Sequence, residues 1–172
     1  MAPETGQPEA AVPPGSTDPL LARLAEAGAT IQALLSGTLD TIGPAQEAEF
    51  RAFFEGSLDA VIVLDDEGRY LAANEAALQL YRTSREELLG SRLERFADPG
   101  KDVGPRWRSF LERGRDRGET VLRRADGALR DVEYAAVANY QPGRHLIVAR
   151  DITASRRDRA ALRARLAQQA AV

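Results

Sequence analysis

Apolar positions along this chain follow two different periods, and the change from one to the other divides it. In the first forty residues they recur in steps of three and four: Leu20, Leu24, Ala27, Ile31 and Leu34. That spacing predicts one narrow apolar seam on a helix over 19–37. Asp18-Pro19 opens it, with Asp as the N-cap and Pro at the first helical position, and Gly37 closes it. Such a seam packs either on its own domain or on the same helix of a second copy. Residues 1–18 are rich in Pro and small polar residues and predict a disordered tail. Residues 38–45 read as a linker. A short helix follows, carrying Phe50, Phe53 and Phe54 and ending at Gly56.

From Ala60 onward the pattern alternates between short apolar runs and turn signals. Ala60-Val61-Ile62-Val63-Leu64 and Arg69-Tyr70-Leu71-Ala72-Ala73 read as two strands joined by Asp65-Asp66-Glu67-Gly68. Asn74 caps a helix over Glu75–Tyr81, and Ser84-Arg85-Glu86-Glu87 opens another that Gly90 stops. A helical turn near Leu93–Phe96 and a helix over about Pro105–Arg113 complete the helical stretch. The last third predicts strands over Thr120–Arg123, Leu129–Asn139 and 145–152, the first two joined by an Asp126-Gly127 turn. Val132, Tyr134, Ala136 and Ala138 share one face of the middle strand. An Arg-rich helix over 155–172 follows. The predicted fold class is α+β: a five-stranded antiparallel sheet with helices inserted between strands two and three, flanked by N- and C-terminal helices.

Composition narrows the chemistry. Among 172 residues there is no cysteine and one histidine, which removes thiolate catalysis, disulfides and cysteine-ligated metals. No apolar run approaches the roughly 20 residues of a spanning helix. The first 20 residues lack the basic and apolar segments of a secretory signal, so a cytoplasmic location is expected. The net charge of −3 predicts no bulk attraction to nucleic acid. The chain has no Gly-rich nucleotide loop, no Ser-His-Asp set and no phosphoacceptor histidine pattern, and no enzymatic activity is expected.

Several pieces, in this order and spacing, resemble a PAS domain over residues 46–154. They are Asp59–Asp65 with Gly68, Ala73-Asn74-Glu75-Ala76-Ala77, Glu86-Glu87-Leu88-Leu89-Gly90 and Arg124–Gly127 with Val132-Glu133-Tyr134. The last is Pro142–His145 running into Arg150-Asp151-Ile152-Thr153. The resemblance implies a bacterial signal-sensing or adaptor module that acts as a homodimer on a protein partner. It implies that Asp151 and Thr153 couple the sheet to the exiting helix, and that Asn74 and Gly90 are structural motif positions. Family members hold haem, flavin, small metabolites or nothing. The cysteine-dependent flavin and coumaryl types do not apply here. His145 reads as a surface residue at a strand edge, and the helical side offers no histidine, so haem is not expected. Noncovalent flavin or a small metabolite would lie against Phe96, Trp107, Phe110, Leu111 and Ile147; the competing reading is that these residues simply fill the core. Two alternatives stand beside the sensor: a ligand-free interaction or dimerisation module, and a nucleic-acid-linked transcription regulator using Arg156, Arg157, Arg159, Arg163 and Arg165.

Overall fold

The structure is a computed structural model that describes residue 22 and residues 44–171. The predicted tail (1–18), almost all of the predicted helix over 19–37 and most of the linker lie outside the described residues. The linker's last two positions do not: helix α1 already begins at Pro44 and runs Pro44–Gly56. Proline at a helix start has no amide to leave unpaired and a φ suited to the first turn. Then come β1 (Ala60–Leu64), β2 (Tyr70–Ala73), α2 (Glu75–Tyr81), α3 (Arg85–Leu88) and a 3₁₀ turn at Leu93–Phe96. Helix α4 (Gly104–Arg113), strands β3 (Arg115–Arg123), β4 (Leu129–Gln141) and β5 (Arg144–Asp151), and helix α5 (Thr153–Ala170) complete the chain.

The five strands form one antiparallel sheet in the order β2-β1-β5-β4-β3. β1 is buried along its whole length, which explains its unbroken run of Val, Ile and Leu. Its side chains still alternate. Ala60, Ile62 and Leu64 join the core under the helices, whereas Val61 and Val63 join a second cluster with Phe54, Val137, Leu146 and Val148. The β1–β2 turn closes when the Asp65 carboxylate accepts from the amides of Glu67 and Arg69, at 3.0 and 2.8 Å. Gly68 takes φ +74° there, and Leu93 and Trp107 lie within 4 Å of where its Cβ would stand.

Asn74 ties the first half together. It is fully buried and its Oδ1 accepts from Val61 N and Ala77 N, at 2.9 and 3.0 Å. Its Nδ2 donates to the carbonyls of Phe54 and Asp59, at 2.9 and 3.0 Å. One side chain thus caps α2, extends the β1 edge and holds the end of α1. Ser84 caps α3 through Glu87 N at 3.2 Å, and Gly90 leaves that helix at φ +81°.

Two strands are longer than the apolar pattern predicts: β4 runs two residues past Asn139, and β3 gains more. β3 starts at Arg115, five residues before Thr120. Gly114, at φ +80°, ends α4 and turns the chain directly into pairing with Val137 of β4. The charged Arg115-Asp116-Arg117 text hides a strand because its pairing is carried by backbone, not by apolar side chains. α5 begins at Thr153, two residues before the predicted start.

Candidate functional site

The sheet's inner face, α4 and the 3₁₀ turn line a partly open apolar cavity of about 150 Å³. Alternating residues supply the sheet wall: Ile62 from β1, Val132, Tyr134 and Ala136 from β4, Ile147 and Ala149 from β5. Phe96, Trp107 and Phe110 close the helical side. Of the five residues singled out in the sequence, Phe96, Trp107, Phe110 and Ile147 line this space. Leu111 does not; one position past Phe110 on α4, it packs beside the Phe110, Ala136 and Ala138 cluster instead.

Two polar groups interrupt the apolar wall. At one end the Tyr70 hydroxyl hydrogen-bonds the Tyr81 hydroxyl at 3.2 Å, and both rings meet Phe96 edge to face. Burial pushes the Tyr70 hydroxyl well above its ordinary value and the Tyr81 hydroxyl up to about 12, so both stay protonated at neutral pH. At the other end Asp116 gathers three donors. Arg106 Nε lies 2.9 Å and the Tyr134 hydroxyl 2.8 Å from its Oδ2, and Arg117 N lies 2.9 Å from its Oδ1. Burial alone would raise the Asp116 carboxyl. The hydrogen bonds from Arg106 and Tyr134, with the Arg106 charge, outweigh it and hold the group below the usual carboxylate range. Burial first, and then the Asp116 hydrogen bond, push the Tyr134 hydroxyl up. The hydrogen bond to Asp116 likewise raises Arg106. Gly118 makes room for this cluster: a Cβ there would stand 3.2 Å from Arg106 Nη2.

Arg106, Asp116 and the tyrosine pair were not singled out in the sequence as site residues, and Tyr134 was named only for its strand face and its place in the family motif. Asp116 sits in the charged run between the predicted α4 and the Thr120 strand, to which the apolar pattern assigns no element, and only Gly118 close behind it hints at a close approach. Tyr70 and Tyr81 look like ordinary core positions of a strand and a helix.

His145 corrects another expectation. It is fully buried, not at the surface. Its Nδ1 accepts from Asn139 N at 3.0 Å, which puts the ring proton on Nε2, facing Asp66 Oδ1 at 3.0 Å. Trp107 Nε1 donates to the Asp66 carbonyl at 2.9 Å. The β1–β2 turn thereby clamps α4 and the β4–β5 hairpin together. Both imidazole nitrogens are engaged, so His145 offers no haem ligand. The space is compact: drug-sized ligands take pockets of roughly 300–1,000 Å³, against about 150 Å³ here, which favours an occupant smaller than a flavin.

Behind the cavity the sheet hands over to α5. Asp151 Oδ1 accepts from Thr153 N at 2.9 Å, and Thr153 Oγ1 accepts from Asp131 N at 2.9 Å. Ile152 N donates to the Asp131 carbonyl at 2.8 Å. Arg156, in the first turn of α5, reaches both Asp131 and Glu119. Arg124 stands 3.8 Å from Asp151, and Arg150 forms a two-point pair with Asp59 at the head of β1. The register makes this junction a direct neighbour of the cavity. Val132, a wall residue, pairs with Asp151 on β5 and Thr120 on β3. Asp131 and Glu119, which hold Arg156, are the chain neighbours of those two wall residues.

A five-stranded antiparallel sheet of this order, curved over helices inserted after its second strand, with a cavity beneath and a helix leaving its last strand, defines a PAS fold. The chain matches the PAS fold family over residues 54–157 and belongs to it. It is 26% identical over 112 residues to sporulation kinase E of Bacillus subtilis, a match covering 64% of this chain and 15% of that kinase. The PAS domain of an HTR-like protein from Haloarcula marismortui is 27% identical with a TM-score of 0.56, over 63% of this chain and 93% of the other. A domain of a sensory box sensor histidine kinase/response regulator from Geobacter sulfurreducens is 26% identical with a TM-score of 0.55, over 62% and 94%. The chain is thus homologous to PAS domains of sensor histidine kinases, and it spans only about 15% of the curated relative it matches.

Proposed function

We propose that this chain is a non-enzymatic sensory module: a small molecule held in the cavity shifts the sheet, and α5 carries the shift to a protein partner. The single observation carrying this reading is the shared register of wall and junction. Val132 touches the cavity and pairs with Asp151, so a ligand that displaces Val132 or Thr120 acts one residue from the groups that anchor Thr153 and Arg156. Such coupling requires a ligand with different affinities for two arrangements of the junction. Asp151 and Thr153 are positioning residues for α5.

α5 suits an output role. Leu162 and Leu166, one turn apart, are more than half exposed, and the helix has no other apolar face to bury. Those two leucines supply the start of a seam for a second copy, which favours a homodimer over an isolated monomer. The helix carries five arginines and one aspartate, +4 in total, whereas the whole chain carries −3. A protein partner needs only a local acidic patch to meet this helix, whereas nucleic acid brings a continuous run of phosphates against the rest of the chain, which carries −7.

Native mass spectrometry and thermal melting test the reading together. Native spectra should show a dimer. Acetophenone, a single-ring probe, should raise the melting temperature of the wild-type chain and leave Ala136→Leu, which fills the cavity, unmoved. A monomer, together with no melting shift in the wild type, would contradict it.

A further inference from the structure

The cavity's inner end specifies more than size. Tyr70 and Tyr81 are buried, and each hydroxyl has the other as its partner, at 3.2 Å. Two protonated hydroxyls own two O–H donors, and one hydrogen bond between them uses a single donor. Whichever ring donates, the other keeps an O–H with no acceptor. Both residues line the cavity, and neither hydroxyl has a hydrogen-bond partner besides the other; the Glu94 carboxylate acts on Tyr70 through its charge but forms no hydrogen bond with it. A buried donor left unmade is costly, so the site is short of one acceptor.

The opposite end points the same way for charge. Among the described residues Arg106 is the only cation lining the cavity, and Asp116 already neutralises it through contacts at 2.9 and 3.5 Å. An anionic ligand would have to compete with an internal carboxylate that also accepts from Tyr134. An unpaired charge in an apolar space is strongly disfavoured. Size sets the third limit, since an apolar cavity of 150 Å³ is the space that takes one benzene-sized ring.

We infer that the cavity takes a neutral molecule of one ring, or an aliphatic body of similar bulk, bearing a single hydrogen-bond acceptor that receives the spare O–H of the Tyr70–Tyr81 pair. This rests on the cavity being the signal site and adds the chemistry of what enters it.

The test compares three probes of matched bulk by isothermal titration of the full chain: acetophenone, isopropylbenzene, which lacks the acceptor, and benzoate, which carries charge. Each is titrated into wild type and into the double variant Tyr70→Phe/Tyr81→Phe. Removing both hydroxyls together leaves no orphan and keeps the edge-to-face rings, so the double variant should fold, which circular dichroism checks. Acetophenone should weaken about fivefold or more in the double variant, while isopropylbenzene holds or tightens. Benzoate should bind wild type at least tenfold more weakly than acetophenone. Equal losses for acetophenone and isopropylbenzene would overturn the acceptor; tighter binding of benzoate would overturn the neutral class. Either result leaves the cavity as the signal site. Failure of all three to bind wild type would overturn the class and the cavity reading together.

Discussion

Asn74 shows how one side chain can organise a fold of this kind. Its four hydrogen bonds join α1, β1 and α2, and none reaches solvent. Asn74→Ala orphans two buried amides and two carbonyls, and should destabilise the domain by about 3 kcal/mol or more. Chemical denaturation measures this; a loss under about 1 kcal/mol would mean that water replaces the side chain. Asn74→Asp should be nearly as damaging, because a carboxylate keeps the two accepted bonds but faces two carbonyls with no donor. Asp116 carries a different signature. Its folded-state carboxyl lies below its unfolded value, so it adds stability that is complete above the unfolded value, about 3.9, and is lost as pH falls through the lower folded one. The stability difference between wild type and Asp116→Asn should therefore be flat at neutral pH and shrink in acid below about pH 4. A difference that grows on acidification would contradict the Arg106–Asp116–Tyr134 geometry. Asn74 was legible in the sequence because a polar residue between a strand and a helix has one obvious task. Asp116 was not, because its three donors converge from α4, β3 and β4.

At the scale of elements, the junction between β5 and α5 joins fold to output. Asp151 and Thr153 were readable as a pair at a strand-to-helix boundary, but Asp131, whose amide donates to Thr153 and whose carboxylate holds Arg156, lies on β4 and has no sequence signal. Thr153→Val keeps the side chain's bulk and removes the acceptor for Asp131 N. It should cost roughly 1 kcal/mol globally, with a larger change in amide exchange over 153–160 than in the sheet. Uniform exchange changes across all five strands would place Thr153 in the core rather than at the coupling point. His145 illustrates the limit of local reading in the other direction. A strand-edge histidine reads as exposed, yet the β1–β2 turn supplies Asp66 from 79 positions away and Asn139 supplies an amide. β3 was underestimated for a related reason: its first residues are charged, and only pairing with β4 makes them a strand.

For the whole molecule, the succession of strands along the chain was recoverable from turn chemistry and period, whereas the β1–β5 pairing and the cavity were not. Phe96, Trp107, Phe110 and Ile147 are apolar whether they pack tightly or leave a void, and 150 Å³ of missing packing leaves no mark on a sequence. What the fold adds is proximity: the wall and the exit helix share rungs of one sheet. A ligand that binds only the folded chain should stabilise it by about 2.7 kcal/mol at a hundred times its dissociation constant. Acetophenone should thus raise the melting temperature in a concentration-dependent way. Stabilisation alone would not make the chain a sensor; the effect must reach α5. Hydrogen–deuterium exchange of the full chain, with and without saturating acetophenone, measures this most directly. The account predicts altered exchange at Val132 and Thr120 and also at Ile152–Arg156, with the second change abolished in Asp151→Ala while binding persists. Protection confined to the cavity wall, with Ile152–Arg156 exchanging at the same rate in both states, would contradict it.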